Sequence, residues 1–159
     1  MSQSEILLAN AEEFVGQELG LTDWTGVDQL QVNVFGEVTR WRTWMHCDQE
    51  RSRAESPYGD TIMHGFFYVS LLTYFNEQKG LNPPDGDYHL NYGLDKVRIL
   101  RPVTIGDGIR LRSRITLKSV EDKGEGKKLC STAHLIEVEG SDEPAAYAEF
   151  LAYWYPKAE

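Results

Sequence analysis

The stretch "TIMHGFFYVSLLTYFNEQKG", Thr61 to Gly80, decides the fold of this chain. Until Asn76 it is apolar on nearly every side of a helix, and a helix of that kind must be buried. Gly80 and the Pro83-Pro84 pair just beyond it are typical signals for the end of a helix. The stretch therefore predicts one long central helix from about Gly65, with the rest of the chain packed around it.

The chain after this helix changes to the two-residue period of strands. "YHLNYGLDKVRILRPV" is typical of a strand with a bend, and "IRLRSRITLKSVE" alternates as a half-buried antiparallel strand does. "LCSTAHLIEVE" and "AAYAEFLAYWYP" predict two more strands, and "DKGEGKK" and "GSDEP" predict the turns between them. The sequence therefore predicts a run of long antiparallel strands.

Two helices and a turn are predicted before the central helix. Residues 4–20 predict a short amphipathic helix that Ser4 caps and Gly20 ends. "SPYGD", residues 56–60, has the composition of a turn. Asp28 is a good N-cap for a helix over residues 28–40, where small and apolar residues fall at helical spacing: Val32, Phe35, Gly36 and Thr39.

Helices first and strands afterwards are typical of an α+β fold in which a helix packs on one face of a sheet. A curved antiparallel sheet wrapped around a long central helix resembles the hotdog fold, and we expect one such domain over residues 1–159. The last strand carries more aromatic surface than one small subunit easily hides, at Tyr147, Tyr153, Trp154 and Tyr155. We therefore expect a homodimer or a higher homo-oligomer.

Charge and composition exclude several classes of protein. The net charge is −9, whereas a nucleic-acid surface needs a basic footprint. No stretch approaches the roughly 18 apolar residues that span a membrane, and no signal peptide is evident. Cys47 and Cys130 form neither a disulfide framework nor a zinc motif. We therefore expect a cytoplasmic protein that binds neither nucleic acid nor membrane and has no metal site.

The segment "WMHCDQERSRAESPYGDTIMHGFFYVSLL", residues 44–72, resembles the MaoC-like hydratase family, including its NodN-type members. That family has Gly-Asp-x-x-x-[IVL]-His-x-Asp, then a loop ending in Pro-[FY]-Gly, then [IV]-x-His-Gly at the start of the hotdog helix, with a Ser two turns in. "LNYGLDKVRILRPVTIGDGIRLR", residues 90–112, is similar to the family's Asn-Tyr-Gly segment and its Pro-Val-x-x-Gly turn. The matching residues of the first segment are His46, Asp48, Pro57, Tyr58, Gly59, Ile62, His64, Gly65 and Ser70.

The resemblance covers most of the chain and implies a homodimeric hotdog enzyme that acts on acyl thioesters of coenzyme A or of an acyl carrier protein. The typical activity is that of a hydro-lyase, the reversible hydration of a trans-2-enoyl thioester to the (R)-3-hydroxyacyl thioester. The family uses no metal and no redox cofactor.

The reaction needs a group that activates water, a group that returns a proton to the α-carbon, and a group that stabilises the developing enolate. By resemblance, His46 is the acid/base and Gly65 supplies the oxyanion site at the helix N-terminus. Ser70 matches a serine near the catalytic histidine, although a bond back to its own helix is about equally expected. His64 is given a supporting role that orients the helix start, and Gly65 is equally explained as a packing glycine.

Trp41 is the departure from the family pattern, because the family's Gly-Asp falls on Arg40-Trp41. An indole donates one N–H and cannot take a proton at neutral pH. Three interpretations follow. Another carboxylate substitutes, either Glu37 one helical turn earlier or Asp48; His46 alone runs dehydration, isomerisation or cyclisation; or the chain binds acyl ligands, or stabilises a partner subunit, without catalysis.

Candidate substrate contacts follow from the same resemblance. Tyr58 and Phe66 stand among aromatic residues that are most often core, and that alternatively narrow an acyl pocket. Coenzyme A needs local positive charge, for which Lys96, Arg98 and Arg101 are the candidates. Arg110, Arg112 and Arg114 lie further along, and arginines of this kind are more simply explained as a solvated strand face. A thioesterase is disfavoured because Glu77, the carboxylate on the central helix, lies late in it.

Overall fold

A six-stranded antiparallel sheet forms the body of the protein in the computed structural model, which describes residues 6–158. The strands lie in the order β1-β4-β5-β6-β3, with β2 also paired to β4. This is the α+β hotdog arrangement that the sequence predicts. The strands are β1 (Glu18–Leu21), β2 (Thr25–Val27), β3 (Gly86–Ile99), β4 (Ile109–Asp122), β5 (Lys128–Val138) and β6 (Ala146–Pro156).

The four long strands, β3 to β6, confirm the predicted run after residue 84. In β4, the residues from Leu111 to Leu117 alternate between the buried and the outer face, as the two-residue period requires. The predicted turns at residues 122–128 and 140–144 join β4 to β5 and β5 to β6. The short strands β1 and β2 were not predicted.

The prediction of a helix over residues 4–20 is wrong for the part that the structure describes. Ser4, the predicted cap, lies outside the described residues. Ala11–Phe14 form one 3₁₀ turn, and β1 then follows. Gly16 has φ +82°, which a helix does not allow, and its N–H donates to the carbonyl of Leu117. Pairing with the edge of β4 therefore overrides the helical spacing.

The predicted helix after Asp28 is confirmed as α1 (Gln29–Thr39). Asp28 accepts a hydrogen bond from the backbone of Gln31, whose side chain bonds back, so the two form a capping box. Two short helices follow, α2 (Trp44–Cys47) and α3 (Gln49–Glu55). A Cβ on Gly36 would lie 2.9 Å from Cys47 Sγ, so only glycine lets α1 approach α2 this closely.

The central helix begins at Gly65 as predicted but is divided into α4 (Gly65–Ser70) and α5 (Leu72–Gln78). At the junction, the N–H of Leu71 donates to the carbonyl of Tyr68, three residues back instead of four. The prediction that the helix is buried all round is wrong. Tyr68, Leu72 and Phe75 pack in the core, whereas Phe66, Ser70 and Tyr74 form an exposed stripe four residues apart.

The outer face of the sheet carries ion pairs where the sequence has its run of arginines. Arg112 and Arg114 both pair with Glu137, and Arg110 pairs with Glu139. These arginines form a solvated, charge-compensated strand face, as their alternation with apolar residues indicated.

Aromatic side chains of β6 are better covered within one subunit than the sequence suggested. Trp154 is buried, and Tyr155 stacks on Tyr88 at a centroid distance of 4.5 Å. Exposed apolar surface lies instead on the edge strand β3 and just after it, at Tyr88, Leu90, Tyr92, Leu94, Ile99 and Leu100.

Candidate functional site

The end of α1 fixes the main chain at the Arg40-Trp41 position. The N–H of Trp41 donates to the carbonyl of Gly36 at 2.9 Å, and that of Arg40 donates to the carbonyl of Glu37 at 3.2 Å. This pair of hydrogen bonds forms a Schellman motif, and its left-handed residue is Arg40, with φ +60°. Glycine is the residue favoured there, so Arg40 holds a conformation that costs about 1 kcal/mol for a residue with a Cβ.

His46 lies on α2 and is held by the extended segment before α4. The N–H of Ile62 donates to the carbonyl of Met45 at 2.9 Å, and His46 Nδ1 donates to the carbonyl of Ile62 at 2.7 Å. The carbonyl of His46 accepts a hydrogen bond of 2.7 Å from Gln29 Nε2 on α1. Since Nδ1 carries the hydrogen, the neutral ring has its lone pair on Nε2, which is the form a general base requires.

His64 occupies the position just before α4 and lies against His46. The two imidazole rings stack with centroids 3.9 Å apart and an interplanar angle of 27°. His64 Nε2 donates to the carbonyl of Trp41 at 3.0 Å. Burial holds the pKa of His64 below its ordinary value, the hydrogen bond to the Trp41 carbonyl acts in the opposite direction, and the charge that His46 can carry adds to the lowering.

These residues meet at a pocket of about 200 Å³. Trp41 and Phe66 stand at its rim, with 63% and 76% of their surface exposed. Among the described residues, no carboxylate lines this pocket. The lining residues are Phe35, Thr39, Trp41, His46, His64, Gly65 and Phe66.

Gly65, the first residue of α4, has a packing reason to be glycine. A Cβ built on it would lie 3.0 Å from Ile99 Cγ1 at the end of β3. The first backbone N–H groups of a helix have no partner within the helix, so this end of the pocket offers hydrogen-bond donors. The packing role and the donor role are compatible.

Three other candidates from the sequence have partners outside the pocket. Ser70 Oγ donates to the carbonyl of Phe66 at 3.0 Å, and Ser70 lines a second groove with residues of β3. Asp48 caps α3 by accepting from the N–H of Arg51 at 3.0 Å. Glu37 forms an ion pair with Arg42.

The candidate substrate contacts are spread over the surface near the site. Tyr58 is exposed in the turn before α4. Lys96 Nζ lies 5.4 Å from the ring centroid of Tyr147 on the outer face of the sheet. Arg98 donates to the carbonyl of Val97, and Arg101 donates to the carbonyl of Glu143. Arg98 precedes and Arg101 follows Ile99, the residue nearest to a Cβ built on Gly65, but neither arginine lines the pocket.

Three residues that build the site were not predicted from the sequence to have a role in it. Phe35 and Thr39 were noted only for their helical spacing, yet both face the pocket from α1. Gln29 binds the carbonyl of His46 and also accepts from the hydroxyl of Thr61, which ties α1 to two neighbouring segments. A lone glutamine early in a helix carries no sequence signal for such a role.

No group of three or more histidine, cysteine or carboxylate side chains within residues 6–158 is placed to hold a metal ion. In the same part of the chain, no helix is both long and apolar enough to cross a membrane.

The fold and the motif residues together define a MaoC-like hotdog protein, and comparison with known proteins agrees. The MaoC-like domain family matches residues 10–138, so the chain belongs to this family. The 3-hydroxyacyl-thioester dehydratase Z of Mycobacterium tuberculosis is 38% identical over 148 residues, which cover 91% of this chain and 93% of the relative. Nodulation protein N of Rhizobium leguminosarum bv. viciae is 35% identical over 147 residues, covering 92% and 90%.

The R-hydratase PhaJ1 of Pseudomonas aeruginosa shares the fold in its solved structure. Its TM-score is 0.73 over 96% of this chain and 88% of that chain, at 17% sequence identity. At that level of identity the similarity concerns the fold alone.

Proposed function

We propose that this chain is an enoyl-thioester hydratase and 3-hydroxyacyl-thioester dehydratase that uses His46 as its acid/base. The carrying observation is the pocket that brings His46, with its lone pair on Nε2, to the first residue of α4. Membership of the MaoC-like family and a relative named as a 3-hydroxyacyl-thioester dehydratase support the reaction class. The proposed activity is that of a hydro-lyase with no cofactor, working in the cytoplasm.

His46 performs both proton transfers in this proposal. In the direction of hydration, Nε2 takes a proton from water while the water oxygen bonds to C3 of the enoyl thioester. The electron pair of the double bond moves toward the thioester carbonyl and forms an enolate. The protonated His46 then gives a proton to C2, which completes the addition of H and OH and returns the ring to its neutral form.

The N–H of Gly65 is proposed to stabilise the enolate oxygen. A backbone N–H at a helix start is a fixed donor beside the positive end of the helix dipole, and such donors are worth about 3–4 kcal/mol in the transition state. The close contact with Ile99 keeps that helix start in place beside β3.

Neither substitute carboxylate is needed in this mechanism. Glu37 forms an ion pair with Arg42, and Asp48 caps α3, so both carboxylates have partners outside the pocket. Ser70 is proposed to act only indirectly, because its hydroxyl bonds to the carbonyl of Phe66 and so supports the helix that carries this ring.

Phe66, Tyr58 and Trp41 are proposed to contact the acyl chain. Trp41 and Phe66 line a small pocket with exposed rings, which suits a short or flat acyl group, and Tyr58 is exposed in the turn before α4.

The carrier is proposed to be coenzyme A or an acyl carrier protein, bound through Lys96, Arg98 and Arg101. Neutralising all three to glutamine removes contacts worth about 0.5 kcal/mol each, so KM for crotonyl-CoA is expected to rise about tenfold. Arg51→Gln on α3 is the control. An unchanged KM in the triple variant would show that the three residues are plain surface.

A homodimer, or a higher homo-oligomer built from it, is proposed to form through the exposed edge strand β3. This strand pairs with β6 on one side, and its apolar side chains, such as Leu94, are exposed in the single chain. Leu94→Lys is expected to shift the protein to the monomer in sedimentation velocity, whereas Leu30→Lys on the exposed face of α1 keeps the dimer. A wild-type monomer would contradict this proposal.

A non-catalytic acyl-binding or subunit-stabilising protein is the competing function. It is favoured by the exposed ring of Trp41 at the position where the family pattern has aspartate. A specialised isomerase or cyclase that uses His46 is a further alternative, and it rests on the same observation at Trp41.

His46→Ala separates these possibilities. Crotonyl-CoA hydration, followed at the absorbance of the conjugated thioester, is expected to fall at least a hundredfold, as for loss of a general acid/base. His89→Ala, a histidine of β3 outside the pocket, is the matched control and keeps full activity. Equal rates for His46→Ala and the wild type would refute the assignment, and thioester binding without turnover in both would favour the competing function.

A further inference from the structure

Two imidazole rings in van der Waals contact are an unusual feature of the pocket. We infer that His64 is a positioning residue for His46, whose ring it holds by stacking so that Nε2 remains the proton-transferring atom. The inference rests on the proposed function, because it gives His64 a task in the chemistry of His46. It differs from the role that the family resemblance implies, which is to orient the helix start.

Each ring donates its one N–H to a backbone carbonyl. His46 Nδ1 donates to the carbonyl of Ile62, and His64 Nε2 donates to the carbonyl of Trp41. Neither imidazole ring can therefore flip by 180° without losing a hydrogen bond. Within residues 6–158, no side chain or carbonyl binds His46 Nε2. The stack at 3.9 Å then joins the two anchored rings face to face.

The anchor of His64 is the main chain of residue 41 and does not depend on the side chain there. The Schellman motif at Arg40 holds that carbonyl in place through the bonds to Gly36 and Glu37. Replacement of the family's aspartate by Trp41 therefore removes a carboxylate but leaves the support of His64, and through it the support of His46, intact.

The geometry makes His64 a poor site for the proton that the reaction moves. His64 Nδ1 is buried and has no partner among the described residues, so protonation would leave an unpaired N–H and place a second positive charge against His46. The helices that pack on α2 are α1 and α3. On α1 the charged group is Glu37, which pairs with Arg42. At the start of α3 they are the N-cap Asp48, Glu50 and Arg51, and Arg51 lies over the ring of Trp44 on α2. Cys47 follows His46 on α2 itself.

Two variants divide the functions of His64. His64→Phe keeps a flat ring for the stack but loses the N–H, and Phe35 and Phe67 already surround the site with rings. His64→Gln keeps an N–H that reaches the carbonyl of Trp41 but has no ring. Circular dichroism at the assay temperature checks that both are folded.

A positioning role predicts that the ring matters more than the hydrogen bond. With crotonyl-CoA, kcat is expected to stay within about threefold of wild type in His64→Phe and to fall about tenfold or more in His64→Gln, with KM little changed in both. The acid limb of kcat is expected to shift only in His64→Gln. The reverse order of activities, or a fully active His64→Gln with an unchanged acid limb, would show that His64 only holds the Trp41 carbonyl.

Imidazole ¹⁵N spectra test the inference without turnover. In wild type and His64→Phe, His46 is expected as the Nδ1–H tautomer, whereas His64→Gln shows exchange between both tautomers. An unchanged His46 spectrum in His64→Gln would overturn the inference. Absence of crotonyl-CoA turnover in wild type would instead contradict the proposed function, and the spectra would still decide whether His64 positions His46.

Discussion

His134 is predicted to make the protein lose stability as the pH falls below neutrality. The side chain is fully buried on β5, where Nδ1 lies 3.0 Å from Ser113 Oγ and Nε2 lies 3.0 Å from Thr132 Oγ1. Burial lowers the pKa of His134 to about 3, because a charged ring cannot be solvated there. The unfolded chain exposes this histidine, with an ordinary pKa of about 6.5.

The direction of the pH dependence of stability follows from whether the folded or the unfolded state binds the proton. Between about pH 6.5 and 3 the unfolded state binds the proton and the folded state does not, so acid favours unfolding. The stabilisation by neutral His134 is fully present above about pH 6.5 and is lost as the pH falls toward the folded pKa. The loss is about 1.4 kcal/mol per pH unit below 6.5, which gives about 2 kcal/mol between pH 7 and pH 5.

Urea unfolding at pH 7, 6 and 5, at one protein concentration, measures this effect. His134→Gln removes the titrating group, so its free energy of unfolding is expected to depend less steeply on pH by about one proton. The variant is also less stable at pH 7 by about 1–3 kcal/mol, because the hydroxyls lose a partner. His89→Gln on β3 is the control with the wild-type slope. Equal slopes for wild type and His134→Gln would show that His134 does not cause the pH dependence of the stability.

Three further predictions concern the neighbourhood of the pocket. Arg40→Gly removes the left-handed strain and is expected to raise the free energy of unfolding by about 1 kcal/mol in urea, whereas a decrease would show that the arginine side chain stabilises the motif. Glu37→Gln and Asp48→Asn are both expected to keep kcat on crotonyl-CoA within about twofold, and a loss above tenfold in either would identify it as the substitute base. Gly65→Ala places a methyl group against Ile99 and is expected to lower the free energy of unfolding by about 1–3 kcal/mol and, by displacing the helix start, to lower kcat; because alanine keeps the backbone N–H, a stable and fully active variant would refute the packing role alone.

The periodic parts of the fold could be predicted from the sequence. Alternation over residues 109–121 predicted β4, and Asp28 predicted the start of α1, because both signals are local. The N-terminal prediction was wrong because pairing of β1 with β4 is a contact across the chain that overrides local helical spacing. The break at Leu71 has no glycine or proline signal, so the sequence predicted one helix where the structure has two.

The candidate site was predictable as a set of residues but not as an arrangement. The motif identified His46, His64 and Gly65, which line one pocket. The carbonyls of Ile62 and Trp41 decide which ring nitrogen is free, and a side chain that bonds to a distant backbone carbonyl leaves no pattern in a sequence. Glu37→Gln and Asp48→Asn test whether either carboxylate takes part in catalysis, and the supporting role of Ser70 stays a prediction.

We propose that this site hydrates enoyl thioesters through His46, with Trp41 at the position where the family resemblance implies an aspartate. Crotonyl-CoA hydration by the protein as it stands and by Trp41→Asp, assayed side by side at neutral pH, tests it most directly. The protein as it stands is expected to show measurable turnover that His46→Ala abolishes. Turnover by Trp41→Asp alone would contradict it and would show that Trp41 silences an ordinary hydratase site.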